Sequence, residues 1–406
     1  MTSIRWQTLR SRWALLRLSG TFWLFVAVSH LFTFGIYVFV LLYNLYLLDR
    51  GFKEDFLGFI TSAWTLGNVA GTLVAVGVSR RLGLKRTLLA CFAGMAVVSA
   101  MRALVVGKAA LLGSAFLGGI TFALWVISLP VTLSQLTSVE LRTVGFSAYL
   151  ASGIGMGMFA DAVGGWLPGW LGPVIGTTTP VKTKQAALLV GCAISAVAIW
   201  PALHLPLAPI DRLAKTSYPR GPFILRFLFA LALLNLGTGA FNPFANAYFA
   251  QYLKMPVHEI GLVFSAGQLA QVGAILLAPV IVRRLGQVRG IMVIEIFTGL
   301  SLAFLAAGPV GLVAAMGYAG YLAFQWMDEP VMESLLMTQV APAQRSGAAA
   351  LMYMVIFCAN AMAAPLAGTA LTGYGYPLVM ATAAACLVLG GLAFGLLLRR
   401  YEPGSR

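Results

Sequence analysis

Long apolar runs, broken by short polar or basic stretches, recur along the whole chain. A helix crosses the hydrocarbon part of a bilayer with about 20 residues. Twelve runs qualify: 20–48, 56–79, 87–106, 109–136, 143–167, 184–205, 223–252, 259–281, 290–308, 311–337, 347–371 and 376–398. Several of their connections are very short, which predicts antiparallel neighbours. The pattern predicts an all-α membrane protein with twelve transmembrane helices.

The runs repeat. Arg80-Arg81-Leu82-Gly83 returns as Arg283-Arg284-Leu285-Gly286, an offset of 203. At that offset Gly58 meets Gly261, Arg86 meets Arg289, Arg142 meets Arg345 and Gly165 meets Gly368, and Asn44 meets Asn246 within one residue of it. Landmarks at one spacing over so long a stretch predict two pseudo-symmetric six-helix bundles, 20–205 and 223–398. The segment 206–222, with Pro206, Pro209, Pro219 and Pro222, is the expected cytoplasmic linker, and 399–406 the cytoplasmic tail. Within 1–19, Trp6, Leu9, Trp13 and Leu16 recur at helical spacing beside Arg5, Arg10, Arg12 and Arg17. That pattern predicts a basic amphipathic segment at the headgroup level. The run that follows is too long for a signal peptide and is read as the first span.

Composition supports the membrane setting, since 60% of the residues are hydrophobic and 10% charged. A soluble chain needs about 25% charged residues. The net charge of +15 raises the possibility of nucleic acid. The basic residues, however, sit in short clusters between apolar runs, which suits membrane loops and excludes a nucleic-acid partner. With the N-terminus inside, 20 of the 27 Lys and Arg fall on inner segments and 7 on outer ones: Arg50, Lys53, Arg102, Lys108, Lys182, Lys184 and Lys254. The positive-inside rule then puts both termini in the cytoplasm, on the cytoplasmic (inner) membrane. Cys91, Cys192, Cys358 and Cys386 lie within apolar runs, without CxxC spacing, and read as core or lipid-facing residues.

Two six-helix repeats with basic loops after the second and eighth helices resemble the major facilitator superfamily. Arg80, Arg81, Gly83, Lys85 and Arg86 resemble its motif A, G-x-L-A-D-R-x-G-R-K, and Arg283, Arg284, Gly286 and Arg289 its degenerate second copy. The usual acid is replaced by Arg80 and the leading glycine by Val76. The resemblance implies a cytoplasmic gate of Arg80, Arg81, Gly83, Lys85, Arg86, Glu140, Arg142, Arg283, Arg284, Gly286 and Arg345. Glu140 is the candidate substitute for the missing acid. Gly153, Gly155, Gly157, Gly164 and Gly165 are similar to motif C of proton-coupled drug exporters, with Asp161 at its proline position. The exporters' motif B arginine is absent from 109–136.

A charge at a helix centre costs about 2.5–3.5 kcal/mol on insertion scales, so ionisable residues inside spans are functional candidates. The tenth span carries Gln325, Trp326, Asp328, Glu329 and Glu333, with Gln325, Glu329 and Glu333 four apart on one face. Clustered carboxylates repel, and exchange of a proton there is what proton coupling requires. Glu329, Asp328, Glu333, Asp161 and His30 are therefore the proton-coupling candidates. Asp161 is either an acid within the membrane or, as its place near the outer end of its helix favours, a residue of the outer mouth, and His30 is either a titrating group or a hydrogen-bonded structural histidine. Pro243 is expected to break the seventh span and free backbone groups beside Asn235, Asn242 and Asn246. The resemblance places helices one, four, seven and ten around the cavity. Its expected lining is Tyr37, Asn44, Asn68, Trp125, Ser128, Gln135, Asn235, Asn242, Asn246, Gln325 and Trp326. Tyr43 is a further candidate, whereas the other first-span aromatics, Phe32, Phe34, Phe39 and Tyr46, are expected at lipid or the interfaces. Glu295 is expected to pair with an arginine.

There is no G-x-x-x-x-G-K-[ST] motif for nucleotide drive, and His30, His204 and His258 stand outside any triad or HExxH context. The chain is expected to be no enzyme, with no cofactor and no metal. The expected function is secondary active transport of a small solute by alternating access. Protons or another cation would drive it, and the chain would work as a monomer in the bilayer. Efflux of a hydrophobic or cationic compound leads; uptake of a small metabolite and lipid translocation by the same fold are the alternatives.

Overall fold

The computed structural model describes residues 18–138, 140–207, 217–309 and 311–402, apart from the side chains of 76, 77, 79, 80, 143 and 343. The amphipathic segment 1–17, most of the linker and residues 403–406 lie outside the described residues. The helices are α1 Gly20–Asp49, α2 Glu54–Leu82, α3 Leu84–Leu104, α4 Lys108–Leu136, α5 Arg142–Ile175 and α6 Pro180–Val197 in the first half. The second half holds α7 Pro222–Phe241, α8 Val257–Leu285, α9 Gln287–Ala306, α10 Gly311–Met327, α11 Glu329–Gln339 and α12 Arg345–Leu398. Among the described residues nine helical stretches are long and apolar enough to cross a membrane.

Local chemistry sets several boundaries. Ser19 caps α1, its Oγ accepting from Phe22 N at 3.1 Å. Gly83 and Gly286 take φ of 78° and 84°, where a Cβ is strained, so each turns the chain sharply between two helices. Pro243 breaks its span as expected: a 3₁₀ turn at Asn242–Phe244 follows α7, and a π-helical turn follows at Tyr248–Tyr252. One departure from expectation stands out. The span 311–337 is broken at Asp328 into α10 and α11, with Pro330 opening α11. The spans 347–371 and 376–398 are two helices, here labelled together as α12, divided at Gly375, whose backbone is non-helical with φ 76°. The fifth span also runs on to Ile175, beyond 167.

The sequence repeat is a structural repeat. Tyr46 Oη donates to Ala103 O, and Tyr248 Oη to Leu305 O, both at 2.8 Å. At the end carrying loops 82–84, 136–142, 285–287 and 339–345, the basic end, Arg142 Nη2 donates to Ser134 O at 3.4 Å and Arg345 Nε to Met337 O at 3.0 Å. Each arginine closes off the end of the preceding helix within its own half, where carbonyls and the helix dipole favour a cation.

The halves meet through α2 against α12 and α5 against α8. Methyl groups at Gly58 or Gly261 would run into the carbonyls of Ala364 and Asp161; at Gly165 or Gly368 they would run into those of Val257 and Glu54. These are two contacts written twice, once per repeat. Ser62 Oγ donates to Ala361 O at 2.8 Å and Ser265 Oγ to Met158 O at 2.9 Å, again mirrored. Small residues let helix backbones approach in a setting where apolar burial gives no drive between helices.

Candidate functional site

Between the halves, towards the end opposite the basic one, lies a cavity of about 220 Å³ lined by Phe39, Val40, Tyr43 and Asn44 of α1, Ile60, Thr61 and Trp64 of α2, Arg102 of α3, Phe264 of α8, and Asn242, Pro243 and Asn246 of the broken span. Its end wall is a reciprocal pair. Asn44 Nδ2 donates to Pro243 O at 2.6 Å, and Asn246 Nδ2 donates to Leu41 O at 2.9 Å and to Val40 O at 3.2 Å. The broken helix makes this possible, because residues leaving α-geometry present carbonyls that are not fully used within the helix. Tyr376 Oη donates to Glu54 Oε1 at 3.1 Å at the same end. The molecule is therefore latched shut at this end.

Arg102 is 7% exposed and is not an outer-loop charge, as its position late in its span implied. Its guanidinium lies 4.1 Å from the ring centre of Tyr43, 4.9 Å from that of Phe39 and 5.1 Å from that of Trp64. Three rings at about 0.5–2 kcal/mol each, and the α3 C-terminus, together match the roughly 3 kcal/mol insertion cost of an arginine. Ring faces do not replace a hydrogen-bond acceptor, and Arg102 Nε has no hydrogen-bond partner. Lys184, also counted as an outer-loop charge, is buried and paired with Asp49 Oδ2 at 2.5 Å.

The acids form a second site, in the other half. Glu295 of α9 does not meet an arginine. It lies against Asp328, and both carboxyls are buried, Asp328 to 2% exposure. Glu295 Oε2, Asp328 Oδ2 and Gln325 Oε1 have no hydrogen-bond donor. The break after Met327 places Asp328 and Glu329 at the α11 N-terminus, whose partial positive charge favours acids. Glu329 is exposed; Glu333, one turn on, is half-buried and accepts from Tyr353 Oη of α12 at 3.1 Å. Cavity-lining Asn242 Oδ1 accepts a hydrogen bond from Tyr321 Oη at 2.7 Å.

Asp161 is not at a solvated mouth. It is 3% exposed in the α5–α8 interface, where it accepts a hydrogen bond from Gln268 Nε2, beside Tyr37. His30 is buried within the first half, its Nε2 2.8 Å from Ser152 Oγ. Of the expected cavity residues, Asn44, Asn242 and Asn246 line the cavity, as does Tyr43. The others lie elsewhere. Trp125 packs among the tilted rings of Phe25, Phe32 and Phe92 in the core of the first half. Ser128 is buried there too, and Asn68 is held against α4, donating to Trp64 O at 3.0 Å. Gln135 and Trp326 are exposed, and Asn235 is joined to Asn360 of α12 at 3.4 Å. Phe32, Phe34, Phe39 and Tyr46, expected at lipid or interfaces, are buried.

Among the gate candidates, Arg81, Arg86, Arg283, Arg284 and Glu140 are exposed and Lys85 half-buried, all at the basic end; the side chain of Arg80 is outside the described residues. Glu402 accepts from Gln287 N at 2.5 Å and Val288 N at 2.9 Å, capping α9 beside Gly286. No residue pattern short of the fold marked that contact.

Residues 227–406 match the family model described as Major Facilitator Superfamily. No curated protein matches the chain in sequence. Among solved structures, a nucleoside transporter, NupG, superimposes with a TM-score of 0.78 at 17% identity, covering 94% of this chain and 100% of its own. A bacterial homolog of the human lysosomal transporter Spinster, inward-facing and unoccupied, gives 0.75 at 12% identity over 95% and 98%. A D-xylose–proton symporter gives 0.67 at 14% over 92% and 96%. At such identities the likeness is one of fold.

Proposed function

We propose that this chain is a member of the Major Facilitator Superfamily and a proton-coupled secondary transporter that carries a small solute by alternating access. The observation that carries the reading is the mirrored latch: Asn44 and Asn246, related by the repeat, close one end of a cavity lying between the halves. Two pseudo-symmetric halves around one site can rock between openings at either end. We place the basic end, and with it both termini, at the cytoplasm of the inner membrane. Opening there would engage the arginines of the α2–α3 and α8–α9 turns as the gate.

Coupling is assigned to the second half. Two carboxylates in contact repel unless a proton lies between them, and Glu295 and Asp328 are in that position. Glu329 and Glu333 continue the path towards the basic end.

The features that favoured efflux of a cation are weaker here. Two of the α5 glycines pack closely, Gly164 against Val38 and Leu41 and Gly165 against Gly261. The cavity's charge is Arg102, not a carboxylate.

Reconstituted vesicles test the reading. Under an imposed pH gradient the wild type should accumulate or expel a solute from a panel, and the sign of the gradient that works gives direction. Glu329→Gln should abolish gradient-driven movement while the protein stays folded. Undiminished driven transport by that variant would remove Glu329 from the mechanism, and scrambling of labelled lipid without solute movement would replace the transporter reading.

A further inference from the structure

We infer that the cavity takes a small organic monocarboxylate, its carboxylate on Arg102 and its apolar or aromatic body against the ring-lined wall; this rests on the transporter reading of the same cavity.

Two lining side chains each carry a buried polar atom without a partner. Arg102, 7% exposed, has a free Nε, and Tyr43, 3% exposed, has a free hydroxyl. The described ion pair, Lys184 with Asp49, uses neither. The rings of Phe39, Tyr43 and Trp64 stabilise the guanidinium's charge, but ring faces do not serve a planar fork of five N–H donors. A carboxylate does, since its two oxygens match that fork side by side. Tyr43 Oη can donate a further hydrogen bond to the same group. Arg102 is the one cation among the lining residues, so a monoanion balances the site where a dianion would leave charge buried.

The cage is not a requirement of the fold. At the offset of 202 kept by the Tyr46–Ala103 and Tyr248–Leu305 bonds, Arg102 and Tyr43 correspond to Phe304 and Ala245. At 203, Trp64 corresponds to Gly267. The second repeat builds the same helix corner with no cation and no cage.

The remaining lining fits a body attached to the anion. Ile60, Trp64 and Phe264 are apolar walls, and Asn242 and Thr61 offer hydrogen bonds. A cavity of about 220 Å³ suits a molecule of benzoate size better than a drug-sized one.

The test uses purified full-length protein at fixed pH and ionic strength, read by thermal midpoint and by tryptophan fluorescence. The probes are acetate, benzoate and 3-phenylpropionate, set against benzamide and benzylamine, with chloride as the ionic control. The aromatic carboxylates should raise the midpoint, and the amide and the amine should bind at least about tenfold more weakly, the loss expected for one charge-assisted bidentate contact. Arg102→Lys should weaken benzoate about tenfold, keeping charge but not the fork, and Arg102→Gln should abolish its binding. The inference is overturned if the amide or amine matches benzoate in the wild type, if no carboxylate binds, or if Arg102→Gln binds as before. The wild-type comparison decides even if the variants fail to fold. Counterflow of a non-carboxylate solute that benzoate does not compete would sink the anion site and keep transport. Carboxylate binding without any solute counterflow would do the reverse.

Discussion

The two repeats bury opposite chemistries at matching places. In the first, the rings of Phe92 of α3 and Trp125 of α4 lie with centres 5.6 Å apart, tilted by 45°, and Phe32 lies 4.5 Å from Phe92. At the offset of 203, the same positions of the second repeat hold Glu295 and Asp328, two buried carboxyls in contact. Around them the repeats agree closely: the tyrosine-to-carbonyl bonds, the arginine caps and the glycine contacts all recur. A shared backbone thus accepts either an aromatic cluster, which helps hold the half together, or an acid pair, which costs stability unless a proton is shared. The cation follows the same logic in reverse: Arg102 sits in the first repeat where the second has Phe304. Symmetric positions carry the fold; the buried charges Arg102, Glu295 and Asp328 sit at positions that break the symmetry.

The largest effect should come from the acid pair. Asp328→Asn should lower pH-gradient-driven movement about 100-fold or more, while counterflow without a gradient stays within a few-fold, because only the driven cycle needs the proton. Equal loss in both assays would make Asp328 a structural residue and end the contrast with Trp125. Trp125→Ala, at the matching site, should instead cost about 3–5 kcal/mol of stability, the toll of a large buried ring. Unfolding of the purified protein in detergent measures it, and the pH dependence of transport should not change. A shifted pH dependence with normal stability would reverse the roles assigned to the two repeats.

The latch gives a finer contrast. Asn246 spans more partners than Asn44: it donates to Val40 O and Leu41 O and accepts from Ala247 N, whereas Asn44 donates to Pro243 O and, at 3.5 Å, to Asn246. Asn246→Ala should therefore favour opening of the latched end by about 1–3 kcal/mol and Asn44→Ala by about 0.5–1.5 kcal/mol. Labelling of single cysteines introduced along the latched end reads that opening. The reverse order would show that the broken span, not α1, is the anchored partner.

The sequence carried the helices, the repeat and the break at Pro243, because hydropathy, spacing and proline act locally. It also placed Asn44, Asn242, Asn246 and Tyr43 in the right spans. It did not carry depth and facing. Arg102 lies near the end of its span, so counting put it in a loop, yet its long side chain folds back over Tyr43. Asp161 was misjudged for the same reason: nearness to a helix end says nothing of the α8 helix that covers it. Trp125 and Ser128 sit on a lining helix, but on the face turned into their own half. Glu295 is 33 residues from Asp328 in sequence, and only the α9–α10 packing brings them together.

The smallest effect is the sharpest test of the mirror itself. Ser62 and Ser265 each donate to a carbonyl across the interface, at 2.8 and 2.9 Å, from positions one repeat apart. A hydrogen bond of this kind between membrane helices contributes about 0.6 kcal/mol, which is about a threefold change in an opening equilibrium. Ser62→Ala and Ser265→Ala should therefore speed cysteine labelling at the latched end by similar factors of about three. The two bonds lie on separate contacts, α2 with α12 and α5 with α8, so the double variant should show roughly the product of the single effects. If one serine accounts for nearly all of it, the halves do not part as mirror images, and that side of the interface acts as the hinge. The hinge would then lie either beside the caged Arg102, on the α2 side, or beside the Asp161–Gln268 bond, on the α5 side, and the motion would be tied to one of those groups.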